Sequence, residues 1–172
     1  MGKTSVSVIS GDISRTKADA LITAINSGGL WFGGIDGVIN RVAGDFFHQQ
    51  AARKKPLKDG QTVVARGNNH AHAGAFTHVV FVVDDLKRPL HEIIYSGLNA
   101  ASDAGFTSVS LPTVRMGVML GVVEKSIDEA VAELAEGVRM FLSENPNATL
   151  KSITFVVYND QKIQSLLQKA LG

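Results

Sequence analysis

The chain has 172 residues, of which 45% are hydrophobic, and its formal net charge is +1. That length suits one domain with its own core, so we predict a single domain over residues 1–172. The sequence contains no cysteine, which excludes disulfides and zinc–thiolate sites.

No apolar run approaches the roughly 20 residues of a membrane span. Residues 1–15 also lack the apolar core of a signal peptide. We therefore expect a cytoplasmic protein with no membrane partner.

Six apolar runs have the pattern of β-strands, and the continuous ones suit central strands covered on both faces. They cover residues 5–10, 20–25, 61–67, 78–83, 108–114 and 153–158.

Between the strands, apolar residues recur at helical spacing. These stripes run over residues 35–47, 86–101, 127–142 and 163–171. The alternation of strands and helices predicts an α/β fold, a three-layer α/β/α sandwich with a mixed, largely parallel central sheet.

Ligands of open α/β sheets bind beyond the carboxyl ends of the strands. Four segments leave predicted strand ends, and we expect them to meet at one edge. They are residues 26–37, 84–85, 113–122 and 159–160.

Two of these segments are rich in glycine. Gly33 and Gly34 precede a helix that begins near Ile35, and residues 115–121 hold two further glycines before another helix. Glycines let the backbone approach a ligand, and the first turn of a helix attracts anions. Two such segments facing each other would hold a diphosphate. The alternative is that the glycines only make tight turns, since neither segment has the spacing of a dinucleotide fold or a P-loop.

Polar side chains near these segments have competing interpretations. Asp36 in the first helical turn is stabilised by the helix dipole, or it acts as an acid, base or acceptor for a ligand hydroxyl. Asp84 and Asp85 resemble a catalytic pair, but a helix cap before Leu86 is the favoured interpretation. His70, His72 and His78 lack a recognised metal-ligand spacing, so we predict no metal or other cofactor.

Four stretches of the chain together resemble the macro domain, an ADP-ribose-binding α/β/α module. GDI at 11–13 and ADALITAIN at 18–26 resemble the opening of the family. GGIDGVINRVAG at 33–44 resembles its first glycine segment. SVSLPTVRMGVMLGV at 108–122 and ITFVVYND at 153–160 occupy the places of its second segment and last strand. The resemblance covers nearly the whole chain.

The resemblance implies roles for particular residues. Asp12 would accept a hydrogen bond from the adenine amino group, and Ile13 would pack beside it. Asn26 would contact the distal ribose, and with Asp36, ten residues later, it would form the catalytic pair of the hydrolytic branches. The resemblance also implies a first phosphate-binding segment made of Gly33, Gly34 and Ile35, and a second made of Arg115, Met116, Gly117 and Val118. The adenine side of the site would be closed by Tyr158 and Asn159.

Several positions depart from the family. Thr23 and Asn40 replace an Asn and a His of its motifs, and Leu120 replaces a small residue. Met119 falls where an aromatic residue often stacks on the ligand. Arg115 would either bind the diphosphate through paired hydrogen bonds or fill the space that a phosphate would use.

Trp31 and Phe32 replace two glycines of the family motif. We expect them to narrow or cover the cleft above the distal ribose. The alternative for Trp31 is a surface anchor that packs against a neighbouring loop.

The expected function is binding of ADP-ribose or a related derivative, free or linked to a protein. Hydrolysis stays open, with a mono-ADP-ribosyl group or O-acetyl-ADP-ribose as substrate and ADP-ribose 1″-phosphate as a lesser option. The alternative is a module that binds another nucleotide or RNA without catalysis. The near-neutral charge and the lack of a basic run count against nucleic acid.

Overall fold

The structure is a computed structural model that describes residues 4–28, 35–116 and 120–172. Within these ranges the strands are β1 (Ser5–Ser10), β2 (Ala18–Ile25), β3 (Thr62–Ala65), β4 (Phe76–Val83), β5 (Ser108–Leu111) and β6 (Ser152–Val157). The helices are α1 (Ile35–Ala43), α2 (Phe46–Ala52), α3 (Leu90–Asp103), α4 (Ile127–Glu144) and α5 (Gln161–Leu171). A short 3-10 helix, Ile13–Arg15, links β1 to β2.

The strands form one mixed sheet in the order β1-β6-β5-β2-β4-β3. All pairings are parallel except that of β3 with β4. One face packs against α3, α4 and α5, and the other against α1 and α2. This is the three-layer α/β/α sandwich that the alternating apolar patterns predict.

The parallel pairing puts the carboxyl ends of five strands at one edge of the sheet. Backbone bonds tie neighbouring ends together there: the Gly11 N–H donates to the Val157 carbonyl over 3.0 Å, and the Asp84 N–H donates to the Ile25 carbonyl over 2.7 Å. The segments after β1, β2, β4, β5 and β6 therefore leave from a common edge.

The single apolar stripe that runs over residues 35–47 in the sequence forms two helices in the structure. Gly44 takes a φ of 63°, in the left-handed region that glycine adopts without strain, and it ends α1 before α2 begins at Phe46. The turn brings α2 back against the same face of the sheet, so residues on both sides of Gly44 share one core.

The stripe predicted from Leu86 also begins too early. Helix α3 begins at Leu90, after Pro89, and Leu86 lies outside it with a φ of 60°. The interpretation of Asp84 or Asp85 as a helix cap before Leu86 is therefore wrong, because no helix starts at Leu86. None of the helices in residues 4–28, 35–116 and 120–172 is long and apolar enough to cross a bilayer.

Candidate functional site

A cleft of about 510 Å³ opens at the carboxyl edge, where β1 and β6 end beside α1. Its lining residues are Gly11, Asp12, Ile13, Ile35, Val38, Arg41, Val156 and Tyr158. Most of the lining side chains are aliphatic, and the charged groups among them are the carboxylate of Asp12 and the guanidinium of Arg41. Such a cleft suits a flat ring with polar groups on its edge.

Asp12 is oriented by the turn that follows β1. Its Oδ1 accepts from the Ser14 N–H at 2.9 Å and from the Ser14 hydroxyl at 2.7 Å. These two bonds hold the pKa of Asp12 below its ordinary 3.8, and the charges of Arg41 and Arg15 lower it further. The Oδ2 oxygen has a longer contact, 3.9 Å to Arg15 Nε. The carboxylate is therefore charged at neutral pH and can accept another hydrogen bond.

Tyr158 stands at the mouth of the cleft, with 80% of its surface exposed. It follows β6 directly, and the next residue, Asn159, turns the chain with a φ of 50°. Asp160 then caps α5 by accepting the Ile163 N–H. The turn thus presents an aromatic ring to the solvent side of the cleft, where it can cover a flat ligand.

Asp36 lies in the first turn of α1 but is only 1% exposed. Its Oδ1 lies 2.7 Å from Nε2 of His48, in the first turn of α2, and His48 packs against the ring of Phe81. The carboxyl group therefore points inward and is held by a second helix. The break at Gly44 allows this contact, because it folds α2 back onto the start of α1.

Arg115 is also buried, and its side chain contacts two carboxylates. Its Nε and Nη2 donate to Asp84 at 3.0 and 2.6 Å, and its Nη1 donates to both oxygens of Glu124 at 2.9 and 3.1 Å. Burial acts to lower the pKa of Arg115, but the bonds to Asp84 and Glu124 raise it more, so the pKa lies above its ordinary value. The guanidinium is charged and faces its own carboxylates.

The cleft brings together four of the residues singled out in the sequence: Asp12, Ile13, Ile35 and Tyr158. Asn26 directly follows β2 and is half-buried, and Met116 packs in the core beside the α3–α4 layer. Seven other predicted site residues lie outside the described ranges: Trp31, Phe32, Gly33, Gly34, Gly117, Val118 and Met119.

Sequence reasoning missed two residues of α1 that line the cleft, Val38 and Arg41. They follow Ile35 by three and six positions, so a helix beginning at Ile35 puts all three on one face. Val38 and Arg41 could have been identified from this spacing. Gly11 and Val156 were also missed, because they line the cleft only when β1 lies beside β6.

The histidines considered as metal ligands belong to the β3–β4 connection and to β4. The ring of His70 stacks on Phe46, and Nδ1 of His78 accepts the Gly67 N–H at 2.9 Å. Among the described residues, no three His, Cys, Asp or Glu side chains are grouped to hold a metal ion.

Comparison with known proteins points to one family. A family model described as Macro domain matches residues 22–130. The chain is 28% identical to an O-acetyl-ADP-ribose deacetylase of Cronobacter turicensis over 180 residues, covering 97% of this chain and 96% of that protein. It is also 28% identical over 136 residues to a protein of Aeropyrum pernix, covering 77% of this chain and 72% of that protein.

Solved structures share the fold. The Trypanosoma brucei macrodomain in complex with ADP-ribose superposes with a TM-score of 0.80 at 24% identity, over 97% of this chain and 69% of that chain. The Oceanobacillus iheyensis macrodomain with ADP superposes with a TM-score of 0.68 at 21% identity, over 95% of this chain and 88% of that chain.

Proposed function

This chain belongs to the macro domain family, and from that premise we propose that its cleft binds ADP-ribose or a close derivative. The observation that carries the proposal is Asp12. Its carboxylate is kept charged and oriented by Ser14 in a cleft whose other walls are largely aliphatic. Structures of other macrodomains with ADP-ribose and with ADP support the same ligand class.

In this proposal the base lies at the β1–β6 end of the cleft. Asp12 accepts from the adenine amino group, Ile13 packs against the ring, and Tyr158 covers it. Helix α1 begins at Ile35 in the same cleft, and the partial positive charge of its N-terminus favours a diphosphate. Asn26, at the end of β2, contacts the distal ribose.

The remaining contacts are carried over from the family resemblance. Gly33 and Gly34 belong to the first phosphate segment, and Met116, Gly117 and Val118 to the second. Three departures from the family are also part of the proposal: Trp31 and Phe32 are expected to narrow or cover the cleft above the distal ribose, and Met119 replaces an aromatic residue that often stacks on the ligand. Asn159 supports the adenine side through the turn that presents Tyr158.

Calorimetric titration with ADP-ribose, ADP and AMP tests binding. We expect affinity for all three to fall at least tenfold in Asp12→Ala, because a lost charge-assisted bond costs about 1.5–3 kcal/mol. Asp128→Ala is the matched control, since Asp128 is exposed at the start of α4, outside the cleft. A wild-type protein that is folded but binds none of the three ligands would overturn the proposal.

A second candidate function is hydrolysis of the bound ADP-ribose derivative. It is favoured by the relatives named O-acetyl-ADP-ribose deacetylase, and the family resemblance gives the catalytic roles to Asp36 and Asn26. With that ester, water adds to the acetyl carbonyl, the bond to the ribose oxygen breaks, and acetate and ADP-ribose leave. Asp36 would act as acid, base or water-positioning group, and Asn26 would orient the ribose.

Turnover and binding separate the two functions. General acid–base catalysis contributes about 10²–10⁴-fold, so Asp36→Asn should lower kcat by that factor and leave ADP-ribose affinity within about twofold. O-acetyl-ADP-ribose and a mono-ADP-ribosylated protein are the two substrates to test. Equal turnover by wild type and Asp36→Asn would remove Asp36 from the mechanism.

A protein-linked ligand and RNA are alternatives within the same site. An ADP-ribosylated peptide that binds more tightly than free ADP-ribose would indicate a protein partner. RNA binding would show a steep loss of affinity with added salt, since it depends on several phosphate contacts.

A further inference from the structure

The buried cluster of Asp84, Arg115 and Glu124 lies at the carboxyl edge of the sheet, but these residues are not among those that line the cleft. We propose that Asp84 and Glu124 are positioning residues for the diphosphate end of the ligand, acting through Arg115, which does not itself bind the phosphates. This inference rests on the proposed binding of ADP-ribose.

The donors of Arg115 are almost fully used within the protein. A guanidinium has five N–H groups, and the hydrogen bonds to Asp84 and Glu124 engage Nε, Nη1 and Nη2. The Arg115 side chain is 2% exposed, and those of Asp84 and Glu124 are 1% and 3% exposed. Paired binding of a phosphate would require Arg115 to release at least one of the two carboxylates.

A contribution to folding stability does not by itself explain why such a cluster is present. Burying three charged groups carries a large desolvation cost, and buried ion pairs are often replaceable by apolar residues without loss of stability. Arg115 also has a φ of 65°, which is unfavourable for a residue with a side chain. Strained backbone of this kind persists where its surroundings hold it in place, commonly at functional sites.

The cluster instead fixes several chain segments relative to one another. Asp84 follows β4 and also accepts the Leu86 N–H, while its own N–H donates to the end of β2. Glu124 precedes α4 and accepts the N–H of Leu90, the first residue of α3. Arg115 joins both carboxylates to the segment that follows β5. The ends of β2, β4 and β5 are thus held by one set of hydrogen bonds.

Because the cluster is charged, the inference predicts the direction in which neutralising a carboxylate changes the affinity for ADP-ribose. The cluster holds two carboxylates and one guanidinium, so it carries a net negative charge near an anionic ligand. If the cluster acted only through its charge, or if Arg115 bound phosphate, neutralising a carboxylate would raise ADP-ribose affinity. If the carboxylates position the site through Arg115, neutralising either one lowers it.

The experiment is titration of ADP-ribose and AMP into the full chain carrying Asp84→Asn or Glu124→Gln. We expect ADP-ribose affinity to fall about tenfold in each variant and AMP affinity to stay within about twofold, because AMP lacks the distal half of the ligand. The double variant should lose little more than either single one, since both act through the same group. Glu136→Gln, which removes an exposed carboxylate on α4, is the charge-matched control.

If a single variant does not fold, the triple variant Asp84→Asn, Arg115→Gln, Glu124→Gln replaces it, because it leaves no charge unpaired. ADP-ribose affinity should again fall and AMP affinity should be retained, and the loss should keep the wild-type dependence on added salt, because no contact between a guanidinium and a phosphate is removed. A weaker salt dependence than in the wild type would show that Arg115 binds the phosphates and would overturn this inference. Unchanged or tighter ADP-ribose binding in the folded variants overturns this inference and leaves the proposed function standing. A wild-type protein that binds neither ligand overturns both.

Discussion

The Oδ1 atom of Asp36 lies 2.7 Å from Nε2 of His48, and both side chains are almost completely buried. The contact joins the first turn of α1 to the first turn of α2, on either side of the break at Gly44. A buried carboxylate needs such partners, because removing it from water without hydrogen bonds is costly.

His48→Leu should therefore destabilise the protein. Removing one partner of a buried polar pair costs about 1–3 kcal/mol, and we expect that loss in the free energy of unfolding by urea. His48→Gln is the matched control, since its side-chain amide can still donate to Asp36 and should lose less. Equal stability of the leucine variant and the wild type would show that this contact adds nothing to stability.

Two glycines in helices should respond to alanine with opposite signs. A Cβ at Gly137 in α4 would lie 2.7 Å from Cβ of Ile94 and 2.8 Å from the carbonyl oxygen of His91. Because that oxygen belongs to the backbone of α3, the helices must separate, and we expect Gly137→Ala to cost about 1–3 kcal/mol.

Gly37 in α1 is the contrasting position, because a Cβ there meets no heavy atom of the described chain within 4 Å. Gly37→Ala should stabilise the protein by about 0.5–1 kcal/mol through its helix preference alone. Thermal and urea unfolding of both variants would check the pair. Stabilisation by Gly137→Ala would contradict the close α3–α4 packing.

Two histidines make stability depend on pH. Burial lowers the pKa of His72 and His78 below the ordinary 6.5, assisted by the charges of His70 and Arg66 respectively, while Asp19 acts the other way on His78. The folded state thus favours neutral rings. This contribution is complete above pH 6.5 and is lost as the pH falls below it through the folded-state pKa values.

We therefore expect the free energy of unfolding to decrease from about pH 7 to about pH 5, and His78→Gln to make that decrease shallower. Glutamine keeps an acceptor for the Gly67 N–H, which His78 Nδ1 accepts in the wild type. Urea unfolding across this range is the measurement. Parallel curves for the variant and the wild type would exclude His78 as a source of the dependence.

Ser14→Ala should raise the pKa of Asp12 towards its ordinary 3.8, because the Ser14 hydroxyl bond is the leading cause of its depression. In the wild type the lowered pKa contributes stability above the unfolded value, and this is lost as the pH falls through the folded value. NMR titration of the Asp12 carboxyl in the variant and in the wild type measures the shift. An unchanged midpoint would show that the Ser14 N–H is sufficient.

Arg41→Gln tests the cation that lines the cleft. If its charge assists an anionic ligand, its loss should cost about 0.2–1 kcal/mol of ADP-ribose affinity, as expected for a solvent-exposed charge interaction. The loss should shrink as salt is added, because exposed charges are screened. Arg139→Gln, which removes an exposed arginine on α4 outside the cleft, should change affinity less. Equal effects would point to general surface charge.

The order of strands and helices was predictable because burial imposes periods of two and 3.6 on the sequence. The points at which individual helices begin and end were harder to recognise in the sequence. The stripe from Ile35 to Phe47 stays in phase across Gly44, because α1 and α2 pack on the same face of the sheet. Pro89 was a usable signal for the start of α3, since proline is tolerated at the beginning of a helix but not in its interior.

At the site, residues adjacent in sequence to strand ends were predictable, and partners distant in sequence were not. Asp12 and Tyr158 follow strands that sit side by side, and both line the cleft. Asp84 and Arg115 are 31 positions apart, and their contact depends on how β4 and β5 are arranged in the sheet. No local pattern distinguishes an arginine that binds a phosphate from one that binds its own carboxylates.

The pairing of β1 with β6 has a consequence for how the protein is made. The hydrogen-bonded strands align Ser5 with Ser152 and Ser10 with Val157, so the first strand must wait for the last before it can join the sheet. Domains begin to form while the ribosome is still adding residues, and long-range strand pairs form slowly. Asp12, at the end of β1, therefore reaches its place in the cleft only after β6 has been synthesised.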